Sequence, residues 1–497
     1  MTKLGDTDDT TRLMQDAKSY QSTKEETLDA SLPLGKAQNS LVPIIEFDSE
    51  SVSLSSDRSS TEDVVSSSPL SIEDSVDKNE ITDSKPTISL KLLAATIVVS
   101  RFVFDSSESM IAAFYPLEAN KRGVQTTLIG LVFSSLQVTA SLSSFVVPKL
   151  MRLFSLKRLY IFCFTVFVLS TLLLSSTVLL TGNAFASVCI ILRMTAGFGI
   201  AVCEALGMTT IMTTFPNEYR PKLIALIEVG STIAFSTAPV FGGLMYNFGG
   251  YITPYLVVGS LGAVLLLINI KLTKQMKELP EEEKKQSLPF KEIFVNLDVL
   301  SLYGCILLTS MTFSFALPIL ALRLREIGFP EKLIGLGISI FGISYGIGVF
   351  VFGVIADKFG KIMDVLFVYC MWGVCLSSLT MGPSPLLPFL QRSITLICIS
   401  EVLRGFHNGI FPTMSVQAFA NAGARSKEGL SVLLSATVSS HLVQLFYIGT
   451  FLGPLISGSV NEHFGFAWAT TTIALIFGVY NVFYTTYRCL RRRNISL

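Results

Sequence analysis

Charged side chains inside apolar runs are the residues of this sequence whose types and spacing could do chemistry. The first such run carries Arg101, Asp105 and Glu108 at intervals of four and three residues, which places them along one stripe of a helix. An unpaired charge at the centre of a bilayer costs at least about 2.5 kcal/mol, so such residues usually face a polar interior. One arginine cannot neutralise both carboxylates, and the second could bind a proton or a cation. The alternative is an internal Arg101–Asp105 pair that only stabilises the bundle.

Two further apolar runs add charges at matching depths. Arg193 is about as far from its end of the run as Glu108 is, so we expect Arg193 to contact Glu108 or Asp105 and to control a proton there. A fixed structural pair is the alternative. Glu204 follows three turns after Arg193, and Glu228 lies at a similar depth in the next run. These two carboxylates form a candidate acidic site for an amine, unless Glu228 merely bonds backbone at a tight helix contact.

The second half of the chain carries its own polar set. Glu401 and Arg404 are three residues apart and are expected to neutralise each other. His407 could titrate near neutral pH, or it is a hydrogen-bonded packing residue. His441, one turn before Gln444, could hydrogen-bond a substrate amine. Three tyrosines are expected to be mainly interface or packing residues, with cation–π contact to a substrate as the alternative role: Tyr115, Tyr345 and Tyr447.

The segments that must position these residues form an internal repeat, with one copy in each half of the chain. An arginine in one run precedes a run interrupted by glycine and proline, with 46 residues from Arg193 to Pro239 and 50 from Arg404 to Pro454. Small residues permit close helix packing, and proline permits a bend. The proposed bend motifs are Pro239, Gly242 and Gly243 in the first copy and Gly453, Pro454 and Gly458 in the second. Such paired interruptions are typical of transporters built from repeats.

Composition places the chain in a membrane. Half of the 497 residues are hydrophobic and 15% are charged, which is too apolar for a soluble protein of this length. Twelve runs between residues 90 and 486 are long enough to cross the hydrocarbon, which takes about 20 residues. Lys and Arg are concentrated in alternate loops and at the carboxyl end, twenty against six, which predicts that both termini are cytoplasmic. Because no apolar run precedes residue 89 we expect no cleavable leader, and the eight cysteines have no ligand spacing.

These patterns divide the chain into five parts. Residues 1–88 hold 18 Asp and Glu against 8 Lys and Arg, and we expect a disordered acidic cytoplasmic tail. A first six-helix bundle covers 89–272, a cytoplasmic central loop 273–296, and a second bundle 297–487. A basic cytoplasmic carboxyl terminus covers 488–497.

One polar segment carries a motif. At the end of the run 331–355 and in the segment before the run 364–382 lie Gly353, Asp357, Lys358, Gly360 and Lys361. Glycine allows a tight reversal of the chain, and the carboxylate could cap a helix or pair with basic residues on the cytoplasmic face. The pattern resembles the G-x-x-x-D-K/R-x-G-R/K loop signature of the major facilitator superfamily. The resemblance implies twelve helices in two pseudo-symmetric bundles.

A closer resemblance extends over residues 90–486. The segment from Phe114 to Gly123, the Arg193-to-Gly249 stretch and the segment from Glu428 to Trp468 resemble the vesicular amine and polyamine transporters of solute carrier family 18, especially the B branch. This resemblance implies proton-coupled exchange of a cationic amine out of the cytosol. Where the monoamine members carry acidic residues, this chain has His407 and, near position 443, valine, which favours a polyamine or another organic cation.

Together these observations predict a secondary active transporter of the twelve-helix major facilitator fold, in a vesicle membrane or the plasma membrane. Protons and a small organic cation are the expected partners, besides the lipid bilayer. We expect no cofactor, metal, nucleic acid or enzyme activity, and a monomer is the expected assembly. The open alternatives are a broad drug or organic-anion exporter, with Arg193 and Arg404 as anion contacts, and a transport-dead scaffold or receptor.

Overall fold

A computed structural model describes residues 88–216, 218–278, 297–359, 362–391, 393–412 and 432–495. The predicted acidic tail lies outside these residues except for Ile88, as does most of the predicted central loop. The described residues form fourteen α-helices, numbered here in chain order. They are α1 (Ile88–Ser109), α2 (Tyr115–Lys121), α3 (Thr126–Leu153), α4 (Leu156–Ser176), α5 (Gly182–Thr214), α6 (Arg220–Gly249), α7 (Ile252–Leu272), α8 (Leu297–Ser314), α9 (Leu320–Glu326), α10 (Ile334–Phe359), α11 (Met363–Met381), α12 (Ile394–Asn408), α13 (Val432–Phe464) and α14 (Phe466–Ile495).

Eight of these helices are long and apolar enough to cross a membrane: α3 to α7, α10, α13 and α14. Helix α1 spans 22 residues, which would suffice to cross the hydrocarbon, but it carries Lys91 and the three charges of the predicted stripe. Asp105 nevertheless lies among its buried residues. Arg101 and Glu108 are partly buried and Lys91 is exposed, so the stripe of three charges, and not Lys91, faces the protein interior.

The helices pair in the same order in both halves of the chain. In the first half α1 packs on α6, α3 and α4 pack on α5, and α4 packs on α7. In the second half α8 packs on α13, α10 and α11 pack on α12, and α11 packs on α14. The halves meet where α3 contacts α13 and α6 contacts α10. Because successive long helices run in opposite directions, Ile88 and Ile495 lie at one end of the bundle. The turns at Gly123, Gly250 and Gly465 lie at the other end, called here the opposite end.

Glycines allow the two halves to touch through backbone near the opposite end. A Cβ atom on Gly130 of α3 would collide with the carbonyl oxygen of Pro454 and lie 3.3 Å from the Cα of Gly458, both on α13. A Cβ atom on Gly335 of α10 would likewise collide with the carbonyl oxygen of Pro239 on α6. Both prolines lie inside their helices, so the predicted packing role of these motifs is confirmed, and the bend itself stays a prediction.

The other motif glycines also lie at close helix contacts. Gly243 faces Gly335 across the two halves, and Gly242 packs against Met110, which follows the end of α1. Gly453 packs against α8 at Met311 and Ser314. A Cβ atom on Gly242 or Gly453 would collide with the neighbouring backbone, whereas one on Gly243 would make an ordinary contact with Gly335.

The predicted cytoplasmic loop begins later than the motif suggested. Helix α10 continues to Phe359, so Gly353, Asp357 and Lys358 lie in its last turns and Gly353 forms no chain reversal. A Cβ atom on Gly353 would meet nothing within 4 Å. The expectation of a loop from Gly353 is therefore wrong, because loss of apolar character shows where a helix leaves the hydrocarbon and not where it ends. Gly360 and Lys361 lie outside the described residues.

A group of hydrogen-bonded side chains, Glu118, Arg122 and Tyr246, holds the chain reversal after α1 at the opposite end; we call this group the polar bracket. Glu118 on α2 accepts hydrogen bonds from Arg122 at 2.8 Å and from the hydroxyl of Tyr246 at 2.7 Å. Arg122 also donates to the carbonyl of Val178 at 2.8 Å and lies 4.7 Å from the ring centre of Phe185. Burial opposes ionisation of Glu118, but the hydrogen bonds from Tyr246 and Arg122 outweigh it and hold the pKa of this carboxyl below its usual range.

Candidate functional site

Three helices bring the charges of the first half to one point. Arg101 of α1 donates from Nε to Asp105 at 2.8 Å and to the hydroxyl of Ser231 on α6 at 3.0 Å. A second guanidinium nitrogen, Nη1, forms an ion pair with Glu204 on α5. Ser231 also donates to Asp105. The predicted Arg101–Asp105 pair is present, and Arg101 neutralises a second carboxylate that spacing along α1 could not have indicated.

The second half reaches this cluster through one side chain. Tyr447 of α13 donates from its hydroxyl to Oε2 of Glu204 at 2.6 Å, while Oε1 of Glu204 pairs with Arg101. A continuous polar chain therefore runs from Asp105 through Arg101 and Glu204 to Tyr447, from α1 across α5 to the other half. The side chain of Asp105 is 3% exposed, that of Glu204 14% and that of Arg101 27%. The side chains of Arg101 and Glu204 are more exposed than that of Asp105, so they are the members that a ligand could reach.

Glu108 and Arg193 do not form the predicted ion pair. Glu108 accepts a hydrogen bond from the amide nitrogen of Gln137 on α3. Arg193 donates from Nε to the carbonyl of Val132 at 2.9 Å and lies 5.9 Å from the ring centre of Phe133. The two charges still interact electrostatically. The arginine turns toward the backbone of α3 instead.

Glu228 lies near the same cluster. Its residue on α6 is exposed, and it interacts electrostatically with Arg101 and with Tyr345 of α10. Glu204 is therefore in direct contact with Arg101, whereas Glu228 interacts with that guanidinium only electrostatically.

The polar residues of α12 form a separate, deeply buried group. Glu401 and Arg404 pair at 2.6 Å, and each side chain is 1% exposed. Arg404 also donates to the carbonyl of Thr312, and its guanidinium lies 4.1 Å from the ring centre of Phe341. The predicted mutual neutralisation of Glu401 and Arg404 is confirmed.

The two histidines differ in what can be said of them. His407 is hydrogen-bonded through Nδ1 to the carbonyl of Leu403 at 2.6 Å and packs at 5.5 Å against the ring of Tyr369. These contacts correspond to the packing alternative. The backbone of His441 lies in α13, but its side chain falls outside the described residues, so its pairing with a substrate stays a prediction.

Sequence reasoning missed three members of the site. Gln137 is the one amide side chain in an apolar run of α3, and this polarity was a usable signal. Ser231 gave no signal, because serine hydroxyls commonly bond their own helix backbone. Tyr447 was interpreted mainly as a packing residue, since nothing in the spacing of α13 shows which helix it faces.

Comparison with known proteins gives three concordant results. A family model described as Major Facilitator Superfamily matches residues 97–303 and 302–494. The mouse (Mus musculus) protein named MFS-type transporter SLC18B1 is 27% identical over 372 residues, 73% of this chain and 78% of that protein. The rat (Rattus norvegicus) protein named synaptic vesicular amine transporter is 24% identical over 305 residues, 61% of this chain and 56% of that protein.

A solved structure has the same fold. It is the crystal structure of a bacterial homolog of the human lysosomal transporter Spinster, in an inward-facing and occupied conformation. Its TM-score is 0.65 at 14% sequence identity, and the match covers 82% of this chain and 98% of that chain. At this identity the likeness concerns the fold alone.

Proposed function

This chain belongs to the major facilitator superfamily, whose members are transporters and not enzymes, and on that premise we propose that it exchanges protons for a small organic cation. The proposal includes twelve membrane spans in two bundles of six, with both termini cytoplasmic, and alternating access to a site between the bundles. An amine or polyamine in an intracellular vesicle, or at the plasma membrane, is the proposed setting. The relative named synaptic vesicular amine transporter and the acidic centre support this direction.

The single observation that carries the proposal is the position of Arg101. Its guanidinium sits between Asp105 and Glu204, so two carboxylates share one positively charged partner. A substrate ammonium group that reaches the partly exposed Glu204 would replace one contact of Arg101, while Asp105 and Ser231 retain the arginine. The site can thus accept a cation without leaving a buried charge unpaired, which would cost several kcal/mol.

Proton binding is proposed at Glu108. Its carboxylate has an amide partner, Gln137, instead of a cation. The amide oxygen of Gln137 is buried and has no hydrogen-bond partner among the described residues. A turn of this amide would let that oxygen accept a hydrogen bond from a protonated Glu108. One neighbour could therefore serve both protonation states, as a reversible proton carrier requires.

Coupling between the halves is proposed at Tyr447. Its hydrogen bond to Glu204 joins α13 to α5, so an ammonium group on Glu204 would change a contact that holds the two halves together. A ligand shifts a conformational equilibrium only by binding its two states unequally. Here the same carboxylate contacts both the ligand site and the other half, which provides that inequality.

An organic-anion exporter is the less favoured alternative. Its expected anion contacts, Arg193 and Arg404, are 4% and 1% exposed and already bond the carbonyls of Val132 and Thr312. An anion would have to displace protein acceptors at both positions. Inhibition of labelled-cation uptake by organic cations but not by organic anions would separate the two functions.

Uptake into proteoliposomes with an acidic interior tests the proposal. With labelled spermidine and an arylalkylamine as probes, Glu204→Gln should lower the uptake rate at least tenfold, since a charge-assisted hydrogen bond is worth about 1.5–3 kcal/mol. Glu108→Gln should remove the response to the pH gradient but retain exchange of labelled for unlabelled cation. Glu331→Gln, an exposed carboxylate at 57%, is the matched control. If Glu204→Gln and Glu108→Gln both took up the cation like the wild-type protein, with the same response to the pH gradient, these assignments would be disproved.

A further inference from the structure

A cavity lies within the second half, at the opposite end of the bundle and apart from the central charged cluster. It has a volume of about 250 Å³ and is lined by Arg323 and Glu326 of α9, Pro383 after α11, Asn461 of α13, Gly465 and Phe466. A water occupies roughly 30 Å³ in the liquid, so this space could hold several waters or a small polar molecule. It contains none of the charges of the central site.

Arg323 gives the cavity its chemistry. Its side chain is 14% exposed and pairs through Nη1 with Glu326 at 2.9 Å, whereas Glu326 is 62% exposed. The Nε atom of Arg323 is buried and has no hydrogen-bond partner among the described residues. A buried donor without an acceptor is costly, so native structures rarely leave one unbound. The face of the guanidinium is fixed 5.6 Å from the ring centre of Phe466.

The start of α14 adds further donors on the same wall. Gly465 has a positive φ of 82°, which turns the chain sharply so that α14 begins directly beside the end of α13. The first N–H groups of a helix have no acceptor within the helix and carry partial positive charge. No described side chain caps α14, whose residues Phe466 and Ala467 line the cavity.

We propose that this cavity binds an oxyanion, a phosphate or carboxylate group, held by Arg323 and the first N–H groups of α14. A guanidinium matches the planar, two-oxygen geometry of such groups. Glu326, the exposed partner, can turn toward water as the oxyanion takes its place. The site is independent of the transported substrate, and its occupant is either a free anion or the phosphate of an anionic lipid at the membrane surface.

Binding of radiolabelled inorganic phosphate to the purified full-length protein tests this site. In nanodiscs of phosphatidylcholine at constant ionic strength, the wild-type protein should bind phosphate saturably, and Arg323→Gln should weaken binding at least tenfold. Arg325→Gln is the matched control, because Arg325 lies on the same helix and pairs with Glu331 at 3.0 Å but does not line the cavity. Arg323→Lys, which retains the charge but loses the planar fork, should weaken binding by a smaller factor.

A second arm distinguishes the two sources of the anion. If nanodiscs that contain phosphatidylglycerol displace phosphate, the occupant is a lipid headgroup. If phosphate binds equally in both membranes, the occupant is a free anion. Absence of saturable binding to the wild-type protein, or equal weakening by Arg323→Gln and Arg325→Gln, would overturn the proposal.

Discussion

Tyr447 donates a hydrogen bond of 2.6 Å to Glu204 and so links the second half of the protein to the charged cluster of the first. Glu204 bonds Arg101 through its other oxygen. One carboxylate thus belongs at once to the proposed cation site and to the contact between the halves.

Loss of this link should loosen the packed ends of the two halves. Tyr447→Phe removes a hydrogen bond to a charged group, worth about 1.5–3 kcal/mol, and should shift the equilibrium away from the conformation described here. An Asn461→Cys reporter at the opposite end should then react faster with a membrane-impermeant maleimide. Tyr345→Phe, which removes a hydroxyl on α10 without breaking this bond, should leave the rate unchanged. Equal rates in both variants would contradict the assignment of Tyr447.

The buried ion pair of α12 should stabilise the protein only when both of its charged residues are present. Arg404→Gln or Glu401→Gln leaves one ion unpaired at 1% exposure, which typically costs about 3–5 kcal/mol. The double variant removes both charges and should recover part of that loss. Thermal unfolding of the purified single and double variants measures this coupling. Additive losses would show that the two residues act independently.

A side chain at Gly130 should separate the halves. Gly130→Val places atoms where the carbonyl of Pro454 and the Cα of Gly458 now lie, so uptake should fall at least tenfold while cation binding to the detergent-solubilised protein persists. Gly353→Ala is the matched control, because a Cβ atom there meets nothing within 4 Å and alanine favours a helix. Wild-type uptake by Gly130→Val would show that this close approach is dispensable.

Glu118 should stabilise the protein only where it is ionised. Its pKa is depressed from the ordinary value of 4.5, so its contribution is present above that value and is lost as the pH falls through the lower pKa of the folded state. Glu118→Gln should therefore unfold at a lower temperature than the wild-type protein at pH 7. The difference should persist at pH 5.5 and close below pH 4.5. A difference that is constant with pH would contradict this view of the bracket.

Local spacing predicted the pairs within one helix. Arg101 with Asp105 and Glu401 with Arg404 followed from intervals of four and three residues, because helix geometry alone brings such residues together. Pairs between helices needed information that the sequence lacks. Depth placed Arg193 level with Glu108, but the rotation of α5 about its axis, set by packing on α3, directs Arg193 to the carbonyl of Val132.

Helix ends were predicted less well than helix positions. Apolar content reports where the chain crosses hydrocarbon, whereas backbone hydrogen bonds can continue into the polar boundary. Helix α10 therefore runs past Gly353 to Phe359, and α3 passes Pro148 before ending at Leu153. The first predicted span, residues 90–115, instead breaks early, since α1 ends at Ser109 and a separate helix begins at Tyr115.

The backbone contact between Gly130 and the Pro454–Gly458 segment has a kinetic consequence. No side chain of Gly130 or Gly458 stands between the two helices, so this contact can open without rotamer changes of its own residues. Dispersion attraction weakens steeply over a gap of about 0.5–1 Å. The contact between Gly130 and the Pro454–Gly458 segment should therefore be lost over a short displacement of the two helices.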